Sequence, residues 1–328
     1  MNNEIQWNPD TMKMAAGTEI ARLLDKSEVL KCLESAFIEL GSREFINPPQ
    51  TSIDLQADGG DTIFYPGAHV GGGLVGVTVS PYLFARARVG LNPVTSFTLL
   101  ISTVSGLPVG LIESDSLIEA RTAATTALAV RSLSPQSENR LSIIGSGPIA
   151  RAHLDYALHI RKWEQVTIFS PSIVDKNSPK RIVLQQIHPD LQFSENLKEC
   201  VEGANVIMLC TSSAEPVLNL DSLPKTALIT STTTSGAGAH DVPLEILPAS
   251  FVYCDNQSTT PNIAGEMTLA EGRGIWSRSE ILGDLGGLLT HQCDVRKHGL
   301  RYFRSVGLGT EEIAIAGLVL DRLPHNLP

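Results

Sequence analysis

Apolar positions near the start of the chain recur three and four residues apart. Ile20, Leu23, Leu24, Val29, Leu30, Leu33, Phe37 and Leu40 follow this spacing up to Gly41, which predicts one amphipathic helix over residues 19–41 stopped by glycine. From about 46 to 112 the period shortens to that of strands. β-Branched runs at 62–65, 74–79, 96–102 and 108–112 are separated by Gly, Pro and Asp, and the two runs flanking Ser105-Gly106 predict a hairpin. The first part of the chain is therefore expected to form a mainly antiparallel domain.

Residues 117–134 are rich in Ala and Leu, with small side chains on several faces, which suits a buried connecting helix. After Pro135 strand and helix patterns alternate: strands at 141–144, 166–169, 206–210, 228–230 and 251–254, helices at about 148–160 and 179–188. That alternation predicts a parallel, doubly wound sheet. A last strand from Arg301 runs through a glycine turn into a helix for which Thr310 is the expected N-cap. The fold class is α/β, a Rossmann doubly wound sheet joined to a mainly antiparallel α+β domain. The chain's 328 residues exceed the ~250 at which single cores stop growing, so two domains are expected.

Composition narrows the function. A formal net charge of −10 with no Lys/Arg block disfavours nucleic acid as a partner. The first residues lack a basic stretch followed by an apolar run, and no segment approaches the ~18 apolar residues of a membrane span; a cytoplasmic protein without membrane contact is expected. Cys32, Cys200, Cys210, Cys254 and Cys293 show no ligand spacing, and the histidines are dispersed. Free thiols of a reducing compartment and no metal are expected.

The sharpest local signal is Leu141-Ser-Ile-Ile-Gly145-Ser146-Gly147-Pro148-Ile149-Ala150, a strand running through GxGxxA into a helix. Gly145 suits the tight turn, Gly147 lets a pyrophosphate approach the backbone, and Ala150 allows close helix–strand packing. Pro148 falls in the first turn, where its missing N–H costs little. The free N–H groups there favour anions. The next strand ends at Ser170-Pro171-Ser172, with no acid for a ribose 2′-hydroxyl. Ser170 and Ser172, followed by Lys176, Lys180 and Arg181, tilt the expected cofactor toward NADP(H) over NAD(H).

Four stretches together resemble the ornithine cyclodeaminase and mu-crystallin family. They are Glu119-Ala-Arg121-Thr-Ala-Ala, the GxGxxA, Cys210-Thr211-Ser212-Ser-Ala-Glu-Pro-Val, and Phe303-Arg-Ser305-Val-Gly307-Leu-Gly-Thr-Glu-Glu. The resemblance implies a homodimer with a discontinuous substrate and dimerisation domain (1–117 and 305–328) around a Rossmann domain (118–304). It also implies hydride transfer at Cα of an amino acid or its imine, with Thr211, Ser212, Thr234, Ser305 and Gly307 beside the cofactor and the nicotinamide near 305–307. Three family positions depart. An Arg for the substrate carboxylate is replaced in Pro49-Gln50, a catalytic Lys is replaced by Thr78, and an Asp after the fourth Rossmann strand falls on Ser235, where mu-crystallin also carries Ser.

Reducing an imine needs a hydride, a proton for nitrogen and an anchor for the carboxylate. Arg121 is the expected anchor, its planar fork matching a carboxylate; Gln50 and Thr78 are the expected substrate neighbours. Arg86 and Arg88 are candidates for the lost cation, and each equally suits a solvated loop. Tyr65, Thr78 and Ser235 are candidates for proton transfer, with His69 in reserve. Three readings stay open: an imine or ketimine reductase of amino acid dehydrogenase type, a dehydrogenase of an N-substituted amino acid in biosynthesis, and a catalytically silent nucleotide-binding protein. Cyclodeamination is disfavoured by the missing Lys and Asp.

Overall fold

The computed structural model describes residues 12–55, 59–233 and 238–324. The chain forms two compact units, one of Met1–Arg121 with Leu308–Pro328, the other of Thr122–Gly307. The helix Asp115–Leu133 carries the chain from the first to the second.

In the first unit the four expected strands, joined by the unexpected Lys13–Ala15 and Phe45–Ile46, form one sheet in the order Lys13–Ala15, Pro108–Glu113, Phe97–Ser102, Leu74–Tyr82, Asp61–His69 and Phe45–Ile46. Thr51–Asp54 also pairs with Asp61–His69. Every pairing is antiparallel except that of Lys13–Ala15 with Pro108–Glu113, and Phe97–Ser102 with Pro108–Glu113 is the hairpin. The single helix expected over 19–41 is instead two, Thr18–Leu23 and Lys26–Leu40. Asp25 divides them because its side chain accepts from the Glu28 N–H and caps the second helix. Val29, Leu30, Leu33 and Phe37 form the buried stripe of that helix.

The last helix, Gly309–Arg322, packs on Lys26–Leu40 and on the strands Asp61–His69 and Leu74–Tyr82. It enters the sheet so closely that a Cβ on Gly309 would lie 1.8 Å from the Pro66 carbonyl oxygen, and one on Gly67 2.6 Å from the Gly309 carbonyl carbon. Two side-chain-free positions therefore set the height of the helix over the sheet. The expected N-cap is corrected here. Leu308 occupies it, Glu311 folds back to accept from the Leu308 N–H at 2.6 Å, and Thr310 lies inside the first turn. Thr310 hydroxyl and N–H instead reach Asn47 Oδ1 at 3.4 and 3.3 Å.

The second unit is an eight-stranded sheet, parallel throughout, in the order Gln192–Phe193, Gln165–Phe169, Arg140–Ile144, Val206–Leu209, Leu228–Ser231, Arg301–Arg304, Phe251–Cys254 and Gly283–Asp284. Strands buried on both faces read as the apolar runs seen in the sequence. Ile144, Ile207, Leu209, Ile229, Val252 and Tyr302 belong to one core cluster. All five cysteines are free. Among the described residues no group of His, Cys, Asp and Glu has the arrangement of a metal site, and no helix is long and apolar enough to cross a membrane.

Candidate active site

The glycine turn follows directly from the strand Arg140–Ile144. Gly145 has φ +131°, and a Cβ there would lie 2.2 Å from the Cys210 carbonyl oxygen, so only glycine joins this strand to its neighbour. Gly147 is the N-cap of Pro148–Ile160 without a capping side chain, and a Cβ on it would meet nothing within 4 Å. None of the described residues packs against that position. A helix start of 13 residues with uncapped N–H groups and an open glycine fits a bound pyrophosphate. Pro148 is exposed and Ile149 half-buried in the same turn.

Ser146, Ser170 and Ser172 converge beside this turn, their hydroxyls 2.8–3.1 Å apart. Lys180 Nζ donates to Ser172 Oγ at 3.2 Å. Arg181 is committed elsewhere: Nε donates to the Ile173 carbonyl and the guanidinium stacks 4.4 Å from the Phe193 ring. The three hydroxyls and one ammonium form a polar corner at the end of the second strand.

On the other side of the same sheet end, Asp255 organises the Ser305–Gly307 loop. Its Oδ2 accepts from Ser305 Oγ at 3.0 Å, Val306 N at 2.7 Å and Gly307 N at 3.1 Å. Below it Arg304, fully buried, pairs with Glu266 (Nε–Oε1 3.0 Å) and donates to the carbonyls of Thr233 and Ser305. Tyr302 also donates to Glu266, at 3.0 Å. Asp241 accepts from Ser231 and Thr233, both at 2.7 Å. Burial pushes the Asp241 carboxyl up against the pull of Arg304. The Thr233 hydroxyl oxygen, its proton given to Asp241, also lies 3.1 Å from the Thr211 carbonyl oxygen, and Ser212 is exposed. The expected positions Thr234 and Ser235 lie outside the described residues.

In the first unit Arg121, Tyr65 and Thr78 come together around a residue that sequence reasoning did not single out, Glu312. Arg121 Nε donates to Glu312 Oε1 at 2.9 Å, with side chains 6 % and 0 % exposed. The pair engages Nε, so the two Nη groups lie outside it. The Arg121 guanidinium stands 5.9 Å over the Tyr65 ring. Burial pushes the Tyr65 phenol up to about 12, against the pull of Arg121, which keeps it a neutral donor at ordinary pH. Thr78 is buried and also neighbours Glu312.

The other expected residues are placed differently. Gln50 is half-buried with its Oε1 enclosed and without a hydrogen-bond partner. His69 stacks on Phe45 at 4.0 Å, a packing role. Arg86 Nε donates to the Asn92 carbonyl at 2.8 Å, within the short helix Phe84–Arg88 and its loop. Asp255 and Glu312 were missed because each acts on residues 50 or more positions away, where the sequence carries no local pattern.

Residues 10–326 match the model of the ornithine cyclodeaminase/mu-crystallin family. The chain is 40 % identical to an NAD(P)H-dependent anabolic L-arginine dehydrogenase of Pseudomonas aeruginosa, covering 91 % of this chain and 93 % of that protein. It is 23 % identical to the ketimine reductase mu-crystallin of Macropus fuliginosus, over 97 % and 98 % of the two chains. Among solved structures it is similar to Delta(1)-pyrroline-2-carboxylate reductase of Thermococcus litoralis in complex with NADH and L-proline. That match has a TM-score of 0.88 at 22 % identity, covering 94 % of this chain and 97 % of the other, and establishes the fold.

Proposed function

We infer the function from one premise: this chain belongs to the ornithine cyclodeaminase/mu-crystallin family. The activity we propose is an NAD(P)H-dependent oxidoreductase acting on the C–N bond of a small amino or imino acid. The observation that carries it is the near full-length 40 % identity to an NAD(P)H-dependent dehydrogenase of an amino acid. The unit Thr122–Gly307 takes the nucleotide, and the unit Met1–Arg121 with Leu308–Pro328 takes the substrate and the second copy of a homodimer.

Gly145, Ser146, Gly147, Pro148 and Ile149 would hold the pyrophosphate, and Ser305 and Gly307, fixed by Asp255, the nicotinamide end. Ser170 and Ser172 with Lys180 suit a 2′-phosphate, since they offer donors and a positive charge and no carboxylate. We therefore read the preferred cofactor as NADP(H). Thr211, Ser212 and Thr234 would border the nucleotide. When bound, the reduced nicotinamide supplies the hydride. Arg121 anchors the substrate carboxylate through the Nη groups outside its pair with Glu312. Gln50 would offer its unpartnered acceptor to a substrate N–H, Tyr65 and Thr78 stand with Arg121 around Glu312, and Ser235 is a proton-transfer candidate from the resemblance alone.

The test mixes the protein with NADPH or NADH and a panel of 2-oxo acids plus ammonia or methylamine, and preformed cyclic imines. The arginine dehydrogenase relative puts a 2-oxo acid with a guanidino side chain first on the panel. Imine-dependent loss of reduced-nicotinamide absorbance is expected, faster with NADPH. Nucleotide binding with no turnover of any panel member would reject the reductase reading.

A further inference from the structure

The side-chain oxygen of Gln50 is enclosed by the protein and has no hydrogen-bond donor among the described residues. Gln50 itself is only half-buried, so this oxygen lies just under the surface and not in the core. The last torsion of a glutamine is soft, and the amide can turn its oxygen to an arriving donor. A buried acceptor without a donor is uncommon and calls for an explanation; a ligand that brings the donor supplies one.

Strand register fixes where that donor belongs. Thr51 pairs with Phe64, and Tyr65 with Thr78. Gln50 directly precedes Thr51, so in antiparallel register it falls opposite Tyr65, and Gln50, Tyr65 and Thr78 form one transverse row on one face of the sheet. Exposure rises along the row, from Thr78 at 0 % through Tyr65 at 5 % to the half-buried Gln50. The row is closed at Thr78 and opens at Gln50. Arg121 stands 5.9 Å over the Tyr65 ring and pairs with Glu312, while Gln50 lies one strand further out, about 5 Å from Tyr65. A substrate whose carboxylate rests on Arg121 therefore extends outward, and a group carried on a few carbons reaches Gln50. Charge selects that group. The ionisable groups around Tyr65 are Arg121, Glu312, Asp61 and Glu311, one guanidinium against three carboxyls, and neither Gln50 nor Thr78 adds a cation. A second carboxylate on the substrate would meet like charge there. An ammonium or guanidinium has only N–H donors to offer, which is what the Gln50 oxygen lacks.

We propose that Gln50 determines the substrate class: its amide oxygen accepts an N–H from a cationic distal group of the substrate, amino or guanidino, while Arg121 holds the carboxylate at the other end. Gln50 touches the substrate away from the reacting C–N bond, so it sets selectivity and leaves the chemistry to other groups. This rests on the C–N oxidoreductase reading for what happens at Cα; the binding itself needs no turnover.

Binding is measured first, by calorimetric titration of L-arginine, L-norleucine and L-glutamate into the protein saturated with NADP+. Wild type is expected to bind L-arginine at least about 10-fold more tightly than either of the others, the scale of one hydrogen bond to a charged group. Gln50→Leu keeps the bulk and removes the acceptor, and should abolish most of the preference for arginine over norleucine. Gln50→Glu keeps an acceptor, adds a charge and should retain or raise the preference. Gln50→Arg offers only donors and should turn selectivity toward L-glutamate. The same ratios are expected in kcat/KM for 2-oxo acids with guanidino, alkyl or carboxylate ends, reduced in the presence of ammonia. A wild type without preference for arginine, or a Q50L protein that keeps it, overturns the proposal. So does a Q50E protein that loses it as Q50L does, because the amide would then be acting as a donor. A loss equal for all three probes would put Gln50 on their shared α-amino group and overturn the distal assignment. A wild type that binds L-arginine selectively through Gln50 but reduces no imine would support the assignment of Gln50 and reject the activity reading.

Discussion

Gly145→Ala is expected to abolish nucleotide binding and to lower the thermal midpoint by about 5–10 °C. Two effects act at once. The backbone at φ +131° is one that L side chains rarely adopt, worth about 1–3 kcal/mol of strain. The new Cβ would also stand 2.2 Å from the Cys210 carbonyl oxygen, so the turn must move away from the strand Val206–Leu209. That movement displaces Ser146 from Ser170 and Ser172 and tilts the Gly147 N-cap, which removes the proposed pyrophosphate and 2′-phosphate contacts together. For a unit of this size about 3 kcal/mol corresponds to the stated shift. Fluorescence titration with NADPH and a thermal melt check both. Binding within threefold of wild type would mean that the turn is not the phosphate site.

Arg304→Met should be the most destabilising change on the cofactor side, by about 3–5 kcal/mol, because it strips the cation from a buried acidic pair. Glu266 loses its 3.0 Å partner, and the carbonyls of Thr233 and Ser305 lose a shared donor. Asp241, already pushed up by burial, also loses the opposing pull of Arg304. The sign with pH follows from that shift. A carboxyl whose folded pKa lies above its unfolded value binds its proton more readily in the folded state, so stability falls as pH rises between the two values. Removing Arg304 widens the window upward. The deficit of the variant should therefore be largest at neutral pH and shrink as pH falls toward the ordinary carboxylate range. Denaturant midpoints measured at several pH values check this, and a deficit that grows on acidification would contradict it.

Much of the fold was legible because its signals are local. The alternation after Pro135 and the GxGxxA gave the strand, turn and helix around Gly145, since a period-two apolar run and an uncapped glycine turn each declare themselves within ten residues. The hairpin at Ser105-Gly106 was readable for the same reason. What failed was either very short or very distant. Lys13–Ala15 has three residues, too few for a period, and its strand exists only because Pro108–Glu113 offers it an edge. The break at Leu24 is overruled in the apolar spacing by Leu23 and Leu24, and only the Asp25 cap reveals it. The Thr310 cap was a sound local reading displaced by Glu311, which reaches Leu308 better.

In the candidate site the same division holds. Arg121 and the Ser305-Val-Gly turn were visible as motifs, but their partners were not. Glu312 stands 191 residues from Arg121 in the chain, and Asp255 50 from Ser305. Pairs of this kind are made by the packing of a terminal helix or by neighbouring strand ends, and no single-sequence pattern encodes them. Their charges, however, are required by the burial of the groups they serve. A fully enclosed guanidinium such as Arg304 demands a carboxylate somewhere, and that demand was open to sequence reasoning once burial was known.

Hydride is expected to pass between a nicotinamide and the Cα of an amino or imino acid. The most direct test is to run the reduction with NADPH deuterated at the transferable C4 position and to locate the label in the amino product by mass spectrometry and NMR. One deuterium is expected on Cα, with none on nitrogen after exchange and none elsewhere in the product. Unlabelled product formed while the cofactor is consumed, or an amine released with no cofactor consumed, would contradict it.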